Sequence, residues 1–124
     1  MWIKKFHDVK PFIAGDMTFL RELLHPANEV GFSGHPYSVA HAVLPSGTAS
    51  LPHRLVNSTE VYFIISGHGV IEIDHEIATV ATGDTILVPP NATQSLRNEG
   101  TEPLEFLCIV SPPWRKTDEE IDMP

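Results

Sequence analysis

Residues 53–67 read HRLVNSTEVYFIISG. The run from Glu60 to Ile65 alternates β-branched and aromatic side chains and ends at Ser66-Gly67, the pattern of a strand closed by a turn. One face carries Glu60, Tyr62 and Ile64; the other carries Val61, Phe63 and Ile65. Both faces are largely apolar, so this strand calls for cover on both sides, either from closely packed sheets with the N-terminal arm wrapped over them or from a subunit interface, and a homodimer is the expectation.

Working outward, the same punctuation recurs. Eleven prolines and eight glycines break the chain into short β-rich runs, which predicts an all-β sandwich or barrel. Strands are expected at Tyr37 to Leu44, Glu60 to Ile65, Val70 to Asp74, Thr85 to Val88, Gln94 to Asn98 and Leu104 to Val110. Residues 17–24 read as a short helix or an early strand, the strand being preferred, and Pro26 stops either. The chain divides into an N-terminal arm with early strand at residues 1–35, a barrel at 36–112 and an acidic tail at 113–124. The tail is expected to pack through Trp114 and then fray.

At 124 residues the chain is one domain. Sixteen acidic against eight basic residues give a formal charge of −8. That balance argues against nucleic-acid binding and against an anionic membrane surface. The late acids, Glu99, Glu102, Glu105, Asp118, Glu119, Glu120 and Asp122, read as a solvated run. Cys108 is the only cysteine, so no internal disulfide forms. No uncharged run approaches bilayer length and no signal-type apolar stretch follows the first residues. The expectation is a cytoplasmic homodimer without nucleic-acid or membrane partners.

The most specific signal spans Gly47 to Asn98. Gly47 is followed by His53, Leu55, Glu60 and Gly67, and then Gly83, Pro89, Asn91, Gln94 and Asn98 follow at fixed intervals. This resembles the two motifs of the cupin superfamily, and among its members the compact single-domain cupins with Pro-His-Arg in the first motif. The resemblance implies a double-stranded β-helix, or jelly-roll, barrel. It also implies a metal centre built from three histidines and a glutamate, of which only His53 and Glu60 stand at matching positions. Leu55 replaces one histidine and Gln94 another, while Asn91 replaces a glycine and can still adopt the left-handed turn.

A divalent transition metal (Zn, Mn, Fe, Ni or Cu) would therefore take His53 and Glu60, with Gln94 as a weaker amide-oxygen donor. Cys108, Tyr62 or His41 are the alternatives for completing the shell. Equally, His53, Glu60 and Gln94 can hydrogen-bond one another with no metal. Tyr62 and His41 are the candidate acid or base residues. By parity Cys108 points inward, and Arg54 points away from His53. Two functions stay open: a metal-dependent enzyme acting on a small oxygenated molecule, and a metal-free binding or sensory module whose barrel holds a small ligand.

Overall fold

The computed structural model of the protein describes residues 1–122. Its strands are β1 (Phe12–Ile13), β2 (Phe19–Leu24), β3 (Ser38–Leu44), β4 (His53–Leu55), β5 (Thr59–Ser66), β6 (His68–Ile73), β7 (Glu76–Ala81), β8 (Thr85–Val88), β9 (Gln94–Arg97), β10 (Leu104–Ser111) and β11 (Glu119–Ile121). They form a six-stranded sheet ordered β1-β2-β3-β10-β5-β8 and a five-stranded sheet ordered β11-β4-β9-β6-β7. The fold is the all-β jelly-roll barrel expected from the motifs. Among the described residues helix is confined to single 3-10 turns, and no helix is long and apolar enough to cross a membrane.

Alternation sorts the side chains between the two sheets. From the larger sheet Ala42, Leu44, Tyr62, Ile64, Ile86, Val88, Leu104, Phe106 and Cys108 point inward. Ile71, Val80 and Leu96 meet them from the smaller sheet. Leu44, Ile64 and Leu104 have no exposed surface. Burying a side chain of this size contributes roughly 1.5–3 kcal/mol, so this end of the barrel is the rigid platform for the other.

Turn chemistry sets the registers. Ile73 pairs with Glu76 across the two-residue loop Asp74-His75, whose φ angles of 47° and 74° match a type I′ hairpin. Asn91 takes the left-handed turn at φ 69°, as its substitution for glycine allows. Gly67 is irreplaceable on two counts: its φ is +94°, and a Cβ there would stand 2.7 Å from the Pro103 carbonyl oxygen.

Within one chain the strand doubly apolar in sequence is covered on one face. Glu60, Tyr62 and Ile64 are buried, whereas Phe63 is 40% and Ile65 36% exposed. The late acids do not all belong to solvent. Asp118 is 3% exposed, and Glu119, Glu120 and Ile121 pair with Leu55, Arg54 and His53. The reason is backbone demand: β4 has one edge on β9 and needs a partner on the other, which β11 supplies. Met123 and Pro124, the end of the expected tail, lie outside the described residues. Strands β1, β4, β7 and β11 escaped the sequence reading because they are short or expose most of their side chains.

Candidate functional site

The polar residues of the interior gather between the sheets at the end where β2, β4 and β11 meet. Glu60, Tyr62 and Cys108 come from the larger sheet, with Cys108 directly opposite Tyr62 and Val110 opposite Glu60. His53 and Gln94 come from the smaller sheet, where they are Cα partners. All five are buried. Beside them opens a cavity of about 110 Å³, room for a small molecule. His53, Glu60, Tyr62 and Cys108 line it, with Leu20, Leu96, Phe106 and Val110 as apolar walls.

A hydrogen-bond chain crosses the interior. The Gln94 amide nitrogen donates to Glu60 Oε1 at 2.9 Å, and the Tyr62 hydroxyl donates to Gln94 Oε1. His53 Nδ1 lies 2.8 Å from the Leu51 carbonyl oxygen. A carbonyl only accepts, so Nδ1 carries the hydrogen and Nε2 is left facing the cavity. There it stands 3.6 Å from Asp16 Oδ2.

Burial pushes the Glu60 carboxyl up to about 7 against the pull of His53 and the Gln94 hydrogen bond. Burial also raises the Tyr62 hydroxyl and the Cys108 thiol, each reinforced by the Glu60 charge. Glu119 is raised, again by burial first. The site therefore holds one carboxyl poised near neutrality next to an imidazole nitrogen, while Tyr62 and Cys108 keep their protons.

Five of the six residues singled out in the sequence converge: His53, Glu60, Tyr62, Gln94 and Cys108. His41 does not, which corrects its assignment as acid, base or ligand. On β3 the inward positions are Ala40 and Ala42, so His41 faces the opposite side of the sheet. There its Nε2 meets Glu105 Oε1 at 2.7 Å and the Phe6 ring packs edge-on at 4.8 Å.

Several lining residues were missed, among them three carboxylates and a tryptophan. Asp16 and Glu22 arrive with the N-terminal arm and β2, and Trp114 and Glu119 arrive with the C-terminal segment. Trp114 Nε1 donates to Glu119 Oε2 at 3.3 Å. Only Asp16 left a local trace, an Asp-Met-Thr step in which Oδ1 accepts from the Thr18 backbone and hydroxyl at 3.1 and 2.8 Å.

The donors do not fit a transition-metal shell. Among the described residues no three His, Cys, Asp or Glu side chains are placed to hold one ion. Both polar atoms of the Gln94 amide are committed, the nitrogen to Glu60 and the oxygen to Tyr62. Leu55, at the vacated histidine position, is buried. A catalytic ion needs about three protein donors, and here the third is tied into the chain that holds the first.

Comparison with known proteins places these features in context. A model of the cupin domain matches residues 40–110. An uncharacterized protein of Methanocaldococcus jannaschii is 38% identical over 117 residues, covering 94% of this chain and 91% of that one. An oxalate-binding protein of Thermotoga maritima is 25% identical over 72% of this chain and 74% of its own. Two solved structures share the fold. A predicted oxalate decarboxylase of Thermotoga maritima superposes with a TM-score of 0.78 at 21% identity, over 89% of this chain and 98% of that one. A Streptomyces nucleoside dehydratase variant with uridine gives 0.78 at 19%, over 99% and 92%.

Proposed function

The chain belongs to the cupin family, and from that premise we propose that it is a small-molecule cupin that moves protons on an oxygenated substrate without a metal. The observation that carries this reading is the pairing, inside one cavity, of a buried Glu60 with a buried His53 whose Nε2 is free. Gln94 holds the first and the Leu51 carbonyl orients the second.

Near neutral pH Glu60 exists in both protonation states, the condition under which a carboxyl gives and takes protons at comparable rates. Glu60 acts as the acid toward a departing or rearranging oxygen, and His53 Nε2 takes the proton from carbon or oxygen. Tyr62 and Gln94 position Glu60. The reaction classes that fit are isomerisation and elimination. Support for a metal-dependent form is weaker, since the Gln94 oxygen already accepts the Tyr62 hydroxyl and Gln94 is not among the side chains lining the cavity.

A homodimer is part of the proposal. Val39, Ile109, Val61 and Leu87 lie in one register row across four strands of the larger sheet. With Phe63 beside them they form an outward apolar face that a second copy would cover. A lone buried thiol suits a reducing compartment, and the cytoplasm is the location proposed.

The test is turnover of small hydroxy- and oxo-compounds in D2O, followed by proton NMR for exchange or elimination. Glu60→Gln and His53→Asn should each lower turnover by about 100-fold or more while circular dichroism stays unchanged. Turnover indifferent to both substitutions would overturn the proposal. Ligand binding without turnover in the unmodified protein would favour a binding module instead.

A further inference from the structure

The cavity offers chiefly hydrogen-bond acceptors, with His53, already facing Asp16 at 3.6 Å, as the one side chain in it that can set a positive charge against them. Asp16, Glu22, Glu60 and Glu119 line it, and neither lysine nor arginine does. Arginines on neighbouring strands are engaged elsewhere: Arg54 with Glu120, and Arg21 with the Val9 carbonyl at 3.0 Å. Both ring nitrogens of His25 are occupied, Nε2 by the Trp114 carbonyl at 2.7 Å and Nδ1 by the Ala27 N–H at 3.1 Å.

The four carboxylates are held alike. Each has one oxygen tied by a protein donor: Thr18 for Asp16, Asn28 for Glu22, Gln94 for Glu60 and Trp114 for Glu119. For Asp16, Glu22 and Glu119 the second oxygen makes no hydrogen bond to the described residues, while Glu60 also accepts from the Cys108 thiol. Independently, His53 Nε2 belongs to a side chain only 3% exposed, lines the cavity and has no hydrogen-bond partner, its nearest polar neighbour being Asp16 at 3.6 Å. An unpartnered nitrogen on a buried side chain that lines a cavity is a group prepared for something that enters.

We infer that the cavity selects uncharged, hydroxyl-rich molecules of sugar size and rejects carboxylates and other anions. The inference names the substrate class for the catalytic reading above and rests on it. A bound anion would stand among several carboxylates with no guanidinium or ammonium and only the His53 ring, already beside Asp16, to offset them, in a site where water screens poorly. A polyol instead brings a donor on every carbon. The acceptors come from four separate segments, the loop before β2, β2 itself, β5 and β11, so they call for donors pointing in several directions. An ammonium concentrates its donors on one atom and satisfies fewer of them. Leu20, Leu96, Phe106 and Val110 supply apolar walls for the carbon skeleton.

The experiment is an amide NMR titration of the 15N-labelled protein with matched open-chain pairs in which an oxidised carbon is the only difference, ribitol and ribonate, glucitol and gluconate, with glucose beside them. Oxalate and glucosamine are added as a small dianion and a cation. The neutral sugars should perturb the amides of His53, Glu60 and Cys108, and each aldonate should bind at least about tenfold more weakly than its partner. Asp16→Asn with Glu119→Gln should narrow that gap, although the matched pairs decide the question on the unmodified protein alone.

Equal or tighter binding of an aldonate or of oxalate, tighter binding of glucosamine than of glucose, or no response to any neutral sugar would each overturn the inference. Failure here is separable from failure of the catalytic reading. Anion binding with turnover that still needs Glu60 and His53 removes only the substrate class. Sugar binding with turnover indifferent to both residues removes only the catalysis.

Discussion

Gln94 holds Glu60 by a 2.9 Å hydrogen bond that runs from one sheet to the other, and the oxygen of the same amide accepts the Tyr62 hydroxyl. The residue that stands where a related site would have a histidine is thus a two-sided clamp. It satisfies two buried groups that would otherwise be costly, and in doing so it removes itself from the pool of metal donors.

Glu60 should give the protein a characteristic pH dependence. Its carboxyl ionises at 4.5 when unfolded and at about 7 when folded. Between those values the folded chain keeps a proton that the unfolded chain has released, so stability is full below pH 4.5 and falls as pH rises through about 7. The loss is about 3 kcal/mol. Urea denaturation of Glu60→Gln across this window should show a flatter profile than the parent; an unchanged slope would mean Glu60 does not titrate in it.

Restoring the missing donors should create a metal site that the natural side chains do not form. In the double variant Leu55→His with Gln94→His, four donors would share the interior face around His53 and Glu60. About one transition-metal ion per chain is expected after reconstitution, against little in the parent. Elemental analysis decides it, and full occupancy of the parent would contradict the proposed metal-free site.

Asp118 fastens the C-terminal strand to the barrel. It accepts from the Asn57 backbone and side chain at 2.9 Å each and from the Ser58 N–H at 3.2 Å. Burial raises its carboxyl, but these donors outweigh that and hold it below the usual aspartate value. Asp118→Ala should cost about 1–3 kcal/mol by leaving the donors unpaired. It should also speed proteolysis after Arg115 or Lys116. In the parent this contribution is present above pH 3.8 and is lost as pH falls through the lower folded value.

The outward apolar row predicts a dimer that a charge will break. Phe63→Asp or Leu87→Asp, both at exposed positions, should shift sedimentation from a dimer toward a 13.7 kDa species without altering the far-ultraviolet spectrum. A parent that already sediments as a monomer at working concentration would remove the dimer from the proposal.

Much of this was legible in the amino acids. Strict alternation at Glu60 to Ile64 and Leu104 to Val110 reports the buried faces because a pleated strand allows only two directions for its side chains. The interval from His53 to Glu60 to Gln94 is legible for a related reason: each residue opens or lies within a strand whose inward positions are marked by apolar neighbours. His41 shows the limit. Its face was identified with Val39 and Val43, yet parity says which residues travel together and is silent on which side becomes the interior.

The all-β class and the inward parity of Cys108 were therefore legible in local pattern, while the jelly-roll form and the grouping of His53, Glu60 and Gln94 were implied by the family resemblance. What only packing in three dimensions decided is the other half of the cavity. Asp16 and Glu119 stand more than a hundred residues apart in the chain and enter the same site through opposite ends of it, one in the loop before β2 and one on the edge strand β11. No periodicity marks them, because a charge in a loop or an edge strand looks the same whether it meets water or a ligand. The sign of the site's field, and with it the kind of molecule the barrel accepts, follows from that closure.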